Sequence, residues 1–201
     1  MSTRVPSSER ILEAAIAAIE AGGEASLRID LIAQEAQITK PSIYHFYGER
    51  DGLVAAAQAE RYRRSMLSGL VESIEITRAA TSRKEFEAIL PAYVDVVMQP
   101  EGAHRRAQRI QVLGSAVSRP HLTAEVIAAL ERALELTTEL VQIPFDRGWA
   151  TSAYDVDAIA LWWLSNTQGR HLFDLVGDER LHEQWRKMTL SHLRHFYFGE
   201  A

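Results

Sequence analysis

Apolar side chains recur every three or four residues along most of this 201-residue chain, and nowhere do they alternate for long with polar ones. That spacing puts them on one face of an α-helix, and it denies a strand the two-residue period it needs. Ala, Leu, Glu, Arg and Gln dominate, all of them good helix formers. The chain therefore reads as all-α. Pro and Gly fall mostly at breaks, as in Pro100-Glu101-Gly102, Arg119-Pro120, Asp146-Arg147-Gly148 and Gly177-Asp178.

The pattern predicts a first helix capped by Ser7 or Ser8, with Ile11, Leu12, Ala15, Ile16 and Ile19 as its buried stripe and Gly22-Gly23 as its end. A second covers Ile29 to Ala36. A third runs from Lys40 to Phe46, with Thr39 as N-cap and Pro41 in the first turn, where a missing N–H costs little. A fourth begins at Arg50, passes Tyr62 and extends to Ile76. Thr77 to Ser82 reads as a loop. Further helices are expected over Lys84–Met98, Ala103–Val117, Leu122–Phe145, Val156–Leu175 and Glu179–Tyr197.

The stretch T-K-P-S-I-Y-H-F-Y at 39–47 carries more polar tips than a core helix needs. Two short helices joined by a tight turn, the second rich in such tips, follow the helix-turn-helix plan, whose second helix enters the major groove of DNA. Thr39 and Ser42 can hydrogen-bond phosphates, and Lys40 adds a charge at the same helix start. Tyr44 offers a ring to anchor and a hydroxyl to reach with. His45 can donate to a base or a phosphate, and Ile43 faces the other way, into the core.

These residues resemble the tetracycline-repressor (TetR) family of bacterial transcriptional regulators. The resemblance spans about Ser7 to Leu53 and rests on I-L-E-A-A at 11–15, I-A-Q-E-A at 32–36, I-T-K-P-S-I-Y-H-F-Y at 38–47 and E-R-D-G-L at 49–53. It implies an N-terminal three-helix helix-turn-helix DNA-binding domain over 1–50 and a larger helical ligand-binding and dimerisation domain over 51–201. It places Thr39, Lys40, Pro41, Ser42, Tyr44 and His45 on the recognition helix. Tyr44 matches a phosphate-contacting tyrosine, and Arg50 a phosphate-contacting lysine that opens the fourth helix. Five positions depart from the family pattern, among them Phe46 and Tyr47, which occupy a polar-aromatic and a core-Phe position. Gln37 stands where a turn glycine is usual, which strains the backbone if the left-handed conformation is kept. Arg28 replaces a capping Ser or Thr, though its guanidinium can still reach a phosphate. Glu49 replaces a better N-cap.

Charge argues the other way. The formal net charge is −5, and residues 1–64 hold 8 Lys/Arg against 9 Asp/Glu, whereas a nucleic-acid domain usually carries a basic excess. Any DNA contact must come from cations placed locally, at Lys40 and Arg50, so non-specific affinity is expected to be modest and steeply salt-dependent.

A single reading head recognises too few bases, so the rest of the chain is expected to pair two heads. The run at 157–176 carries more apolar surface than one buried stripe needs, with small Ala160, Thr167 and Gly169 beside Trp162. Leu181, Trp185, Met188, His192 and Phe196 form a second stripe at helical spacing. Two helices from each subunit would make a four-helix homodimer interface, which also resembles the family's usual dimer. The resemblance further implies a small-molecule effector pocket among the middle helices. Tyr93, Met98, His104, Gln108, Gln111, Trp163, Asn166 and His171 are candidate liners because they combine bulk with polar tips. The effector would shift the population towards a conformer whose heads no longer match successive major grooves.

The expected protein is thus a cytoplasmic regulator, probed by double-stranded operator DNA and a small molecule, with no cofactor, metal or membrane partner and no catalysis. There is no cysteine, and the longest uncharged apolar run, 158–164, is too short to span a bilayer. Two alternatives stay open. One is a helical-bundle di-metal carboxylate enzyme, suggested by Glu101-x-x-His104 and Glu179-x-x-His182. The other is an interaction module with a vestigial head.

Overall fold

The computed structural model describes residues 6–99, 102–174 and 176–199, apart from the side chain of His171. Every regular element among them is helical: α1 (Ser7–Gly22), α2 (Ile29–Glu35), α3 (Lys40–Tyr47), α4 (Arg50–Leu67), α5 (Leu70–Ala79), α6 (Arg83–Met98), α7 (Ala103–Ala116), α8 (Pro120–Asp146), α9 (Val156–Gly169) and α10 (Glu179–Phe198). Short 3-10 turns follow α1 at Glu24–Ser26 and α9 at Arg170–Phe173.

Several expected boundaries move. The fourth helix stops at Leu67 instead of reaching Ile76, because Gly69 takes a left-handed φ of 80° that an L side chain resists, and α5 restarts at Leu70. The expected 77–82 loop shrinks, since α5 runs to Ala79 and Ser82 already caps α6 by accepting from the Glu85 N–H at 3.3 Å. The ninth helix ends at Gly169, six residues short of expectation, where the chain tightens into the 3-10 turn. Pro6, not a serine, occupies the N-cap of α1, and the Ser7 hydroxyl accepts from Arg10 instead. Thr39 does cap α3 by position, but its hydroxyl engages Ser42 Oγ at 2.9 Å rather than a backbone N–H.

The chain divides into two compact units. One comprises Met1–Arg64 with Ile110–Ala128, the other Ser65–Arg109 with Ala129–Ala201. The first unit's core collects Ile11, Ala15, Ile16 and Ile19 from α1, Leu27 from the following turn, Ile32 and Ala33 from α2, Ile43 from α3, and Leu53, Val54 and Ala57 from α4. Ile11, Ala15, Ile16, Ile19 and Ile43 are positions that the sequence pattern named, while Leu12 of the same stripe is only partly buried, and each fully buried Ile or Leu is worth on the order of 2 kcal/mol. The second unit's core is built from α6, α8, α9 and α10. Phe86 meets Tyr197 edge-on at 5.1 Å, and Phe145 lies 6.0 Å from the same ring. Burial raises the Tyr197 phenol well above its ordinary value, so it stays neutral. No helix of the described residues is long and apolar enough to cross a membrane.

Candidate nucleic-acid interface and inner cavity

The α2–α3 pair is held from behind. Ile43 is fully buried, and the Tyr47 hydroxyl donates to the Ser8 carbonyl at 2.8 Å, tying the end of α3 to α1. Gln37, in the turn between the helices, has φ 53°, and it is the one non-glycine residue with positive φ among those described. The left-handed turn is therefore kept without its glycine. A close approach pins the other end of α3: a Cβ on Gly52 would lie 2.1 Å from the Tyr47 carbonyl oxygen. So fixed, α3 turns Lys40, Pro41, Tyr44 and His45 outwards beside exposed Thr39, with Ser42 half-buried. Tyr44 is 48% exposed and Phe46 47%, a large aromatic display for so short a helix.

The cations of this face differ in how they are held. Lys40 pairs with Asp30 on α2, and the contact lowers the Asp30 carboxyl and raises the lysine. Both partners are exposed, so the pair is weak and a phosphate can replace it. Arg28 is exposed at the N-cap position of α2 and makes no side-chain cap bond. Arg50 is turned towards protein: Nε donates to the Leu27 carbonyl at 2.9 Å, and Nη2 to the Glu24 carbonyl. It pins the α1–α2 turn onto the start of α4.

Glu24 is the centre of a cluster that sequence reasoning missed. Its carboxylate accepts from Ser115 at 2.5 Å and Gln58 at 2.7 Å and pairs with Arg119 at 3.0 Å. Arg119 also reaches Asp51 at 2.8 Å, and Gln58 accepts from buried Arg61 at 2.5 Å. Burial pushes the Glu24 carboxyl up, but the hydrogen bonds from Ser115 and Gln58, with the Arg119 charge, outweigh it and hold it below the usual range. The cluster joins residues 91 and 95 positions apart, and no local pattern announces such a contact.

The second unit contains a cavity of about 350 Å³. Of the expected liners, Tyr93 and Trp163 line it. The others lie elsewhere. Met98 packs on the core and its sulfur faces Arg170 at 3.4 Å; exposed His104 bonds Gln108 at 2.8 Å; Gln111 is exposed and belongs to the first unit; Asn166 donates to Thr189 at 3.2 Å. The side chain of His171 lies outside the described residues. Thr167, assigned to a dimer face, lines the cavity instead, together with Arg105, Arg106, Arg109, Ser65 and Gln168. Their polarity hid them, since an arginine on an amphipathic helix ordinarily marks the solvated face.

The other dimer-face residues separate by exposure. Ala160 is 0% exposed inside its own protomer, which removes it from any interface. Trp162 stacks on His192 at 5.7 Å and meets Phe196 edge-on at 4.8 Å. Gly169 and Trp185 are half-buried, while Leu181 is 44% and Met188 60% exposed, and Leu161 adds a further exposed apolar side chain. Of the metal-site alternative, Glu101 lies outside the described residues, and His182 Nε2 sits 3.3 Å from the Phe173 carbonyl.

The head with its positive-φ turn and outward polar helix now has a counterpart: residues 11–57 match the model for bacterial regulatory proteins of the tetR family. This segment is similar to the N-terminal region of tetR-family regulators. The similarity of fold extends over more than nine-tenths of the chain. A TetR transcription regulator from Haloarcula marismortui superposes with a TM-score of 0.67 at 18% identity, covering 95% of this chain and 98% of that one. A chain from Rhodococcus sp. described as a TetR-family transcriptional regulator gives 0.65 at 19% identity, covering 94% and 99%. A transcriptional-regulator structure from Saccharomonospora viridis, in complex with choline, gives 0.61 at 18% identity, covering 92% and 94%. Among curated proteins there is no match. The architecture is thus that of TetR regulators: an N-terminal helix-turn-helix domain and a larger helical C-terminal domain.

Proposed function

We propose that the chain is a ligand-responsive transcriptional repressor that binds a palindromic operator as a homodimer and is switched by a small molecule held in the second unit. The observation that carries this reading is the outward face of α3, rigidly backed and exposed, within the segment that matches the tetR family. Thr39, Ser42, Tyr44 and His45 contact the groove and its phosphates. Lys40 exchanges Asp30 for a phosphate, and Arg28 takes a neighbouring one. Arg50 acts chiefly by holding the α1–α2 turn, since two of its nitrogens are already committed to carbonyls. Exposed Leu161, Leu181, Met188 and His192, with half-buried Trp162 among them, support pairing of two copies through α9 and α10. The cavity supports a small-molecule occupant, and a structure of the same fold holds choline.

Selection of bound sequences from a random double-stranded DNA pool tests the reading. A palindrome is expected, with binding to it abolished by Tyr44→Ala and by Lys40→Glu while the dimer stays folded. Unchanged binding in both variants would overturn the recognition helix and leave an interaction module with an idle head.

A further inference from the structure

The cavity of the second unit is a positive island in an acidic protein. Its lining holds three arginines, Arg105, Arg106 and Arg109, and one acid, Glu72, while the chain as a whole carries a net charge of −5. The arginines stand at i, i+1 and i+4 on α7, so two of them share a helix face and the third adjoins it.

The charge behind the wall is also unbalanced. Arg106 is buried and makes a bidentate pair with Asp174, Nε to Oδ2 at 2.6 Å and Nη2 to Oδ1 at 2.8 Å. Arg170, buried as well, donates to the same Oδ1 at 3.0 Å. Two buried guanidinium groups thus share one carboxylate. Carbonyls of Val97 and Gln99, at 3.0 and 3.2 Å from Arg106 Nη1, solvate the excess but cannot neutralise it. A buried charge without full compensation is costly, and an anion arriving beside it offsets that cost. Arg105, exposed at the rim, holds only the Ser68 hydroxyl at 3.2 Å among the described residues and keeps most of its fork for a ligand. Arg109 is aimed by Ser65, whose hydroxyl and carbonyl both accept from it at 2.8 Å, and by Gln168 at 3.3 Å.

Part of the lining is apolar. Tyr93, Leu140 and Trp163 face the cavity, and the same three residues border a second, small void of about 20 Å³ closed by Phe86 and Leu193. The Tyr93 hydroxyl is spent on the Thr77 hydroxyl at 2.5 Å and the Ser73 carbonyl at 3.0 Å, so its ring presents mainly carbon to the site.

We infer that this cavity binds an amphipathic monocarboxylate, its head on the Arg105 fork with the charge of Arg109 beside it, and its apolar body against Trp163, Tyr93 and Leu140. The planar fork of arginine matches a carboxylate bidentately. With Asp174 set against Arg106 and Glu72 against a second arginine, the lining itself keeps one positive charge, and the part of Arg170 that Asp174 does not meet lies behind it. That suits one carboxylate, and Glu72 opposes a dianion. A quaternary ammonium such as choline is repelled by the same field.

The inference rests on reading the second unit as the effector domain, and the test separates the two. Decanoate, decyl phosphate, decanol and decyltrimethylammonium are titrated against the full-length protein by calorimetry, with thermal unfolding as a second readout. Decanoate is expected to bind saturably at one site per chain, at least tenfold tighter than the other three. Arg105→Gln, a rim substitution, weakens it at least tenfold, and Arg109→Gln does so at least as much if it folds. Equal or tighter binding of decanol, the ammonium or the phosphate overturns the carboxylate assignment, as does no saturable binding of decanoate, or binding that Arg105→Gln leaves unchanged. Adding decanoate to the protein on its selected operator is a separate arm. Arginine-dependent binding that leaves operator affinity untouched keeps the site and overturns the effector reading.

Discussion

At position 37 a glutamine sits at φ 53°, in the conformation a glycine adopts without cost. The left-handed region costs an L residue about 1–2 kcal/mol, part of which glycine returns through its freer unfolded chain. Gln37→Gly is therefore expected to raise the urea midpoint by the equivalent of up to about 1 kcal/mol, whereas Gln37→Ile lowers it by at least as much. The turn was legible from the sequence because its neighbours match a pattern with glycine there. The commitments of Arg50 were not, because its acceptors are the carbonyls of Leu27 and Glu24, and a carbonyl carries no side-chain identity to read. Lys40 is a second residue-scale case. Its partner Asp30 is exposed, so the ammonium is available to a phosphate. In Lys40→Gln the slope of log affinity against log salt should shallow by about 1, the signature of one lost phosphate contact. An unchanged slope would place Lys40 off the DNA.

At the scale of elements, α1 to α3 and the start of α4 were readable because each is periodic and set off by a breaker or turn, Gly22-Gly23, Gln37 and Gly48, although no side chain caps α1, α2 or α3. The end of α4 was not. Ser68-Gly69 interrupts an apolar pattern that otherwise continues, and a lone glycine inside a helical pattern is tolerated as often as it breaks one. The Glu24 cluster belongs to this scale, since it fastens the α1–α2 turn to α4 and to the α7–α8 connection within the first unit. Its pH dependence has a definite sign. The folded carboxyl lies below its ordinary value of 4.5, so its contribution is present above 4.5 and is lost as pH falls through the folded value. Glu24→Gln should accordingly lower the urea midpoint at pH 7, and the gap to the parent protein should narrow as the pH falls below 4.5. A gap that persists in acid would show that shape, not charge, holds the turn. Operator affinity should fall in the same variant at pH 7, since Arg50 and the turn it pins lie directly behind α2 and α3.

On the scale of the whole molecule, the proposed pairing of two heads rests on the apolar stripe of α9 and α10. Met188 is 60% exposed on that stripe, and a charge there would have to be buried in a dimer interface. Met188→Glu is expected to turn the dimer into a monomer by sedimentation equilibrium and to weaken binding to the full palindrome at least tenfold, with the helical far-ultraviolet signal retained. Dimers that survive the substitution would move the interface elsewhere.

The division between sequence and structure follows from the range of the forces involved. The sequence by itself determined the helices, the helix-turn-helix and the identity of its buried and outward faces, because periodicity, caps and breakers act within one or two turns of chain. Only the tertiary structure decided that Thr167 and three arginines of α7 line a cavity, that Ala160 is sealed within its protomer, and that Glu24 meets Ser115 and Arg119. Each of these depends on which helix packs beside which. A charged side chain at the edge of a helical face satisfies the same local pattern whether it meets water, a carboxylate from a distant helix or the wall of a cavity.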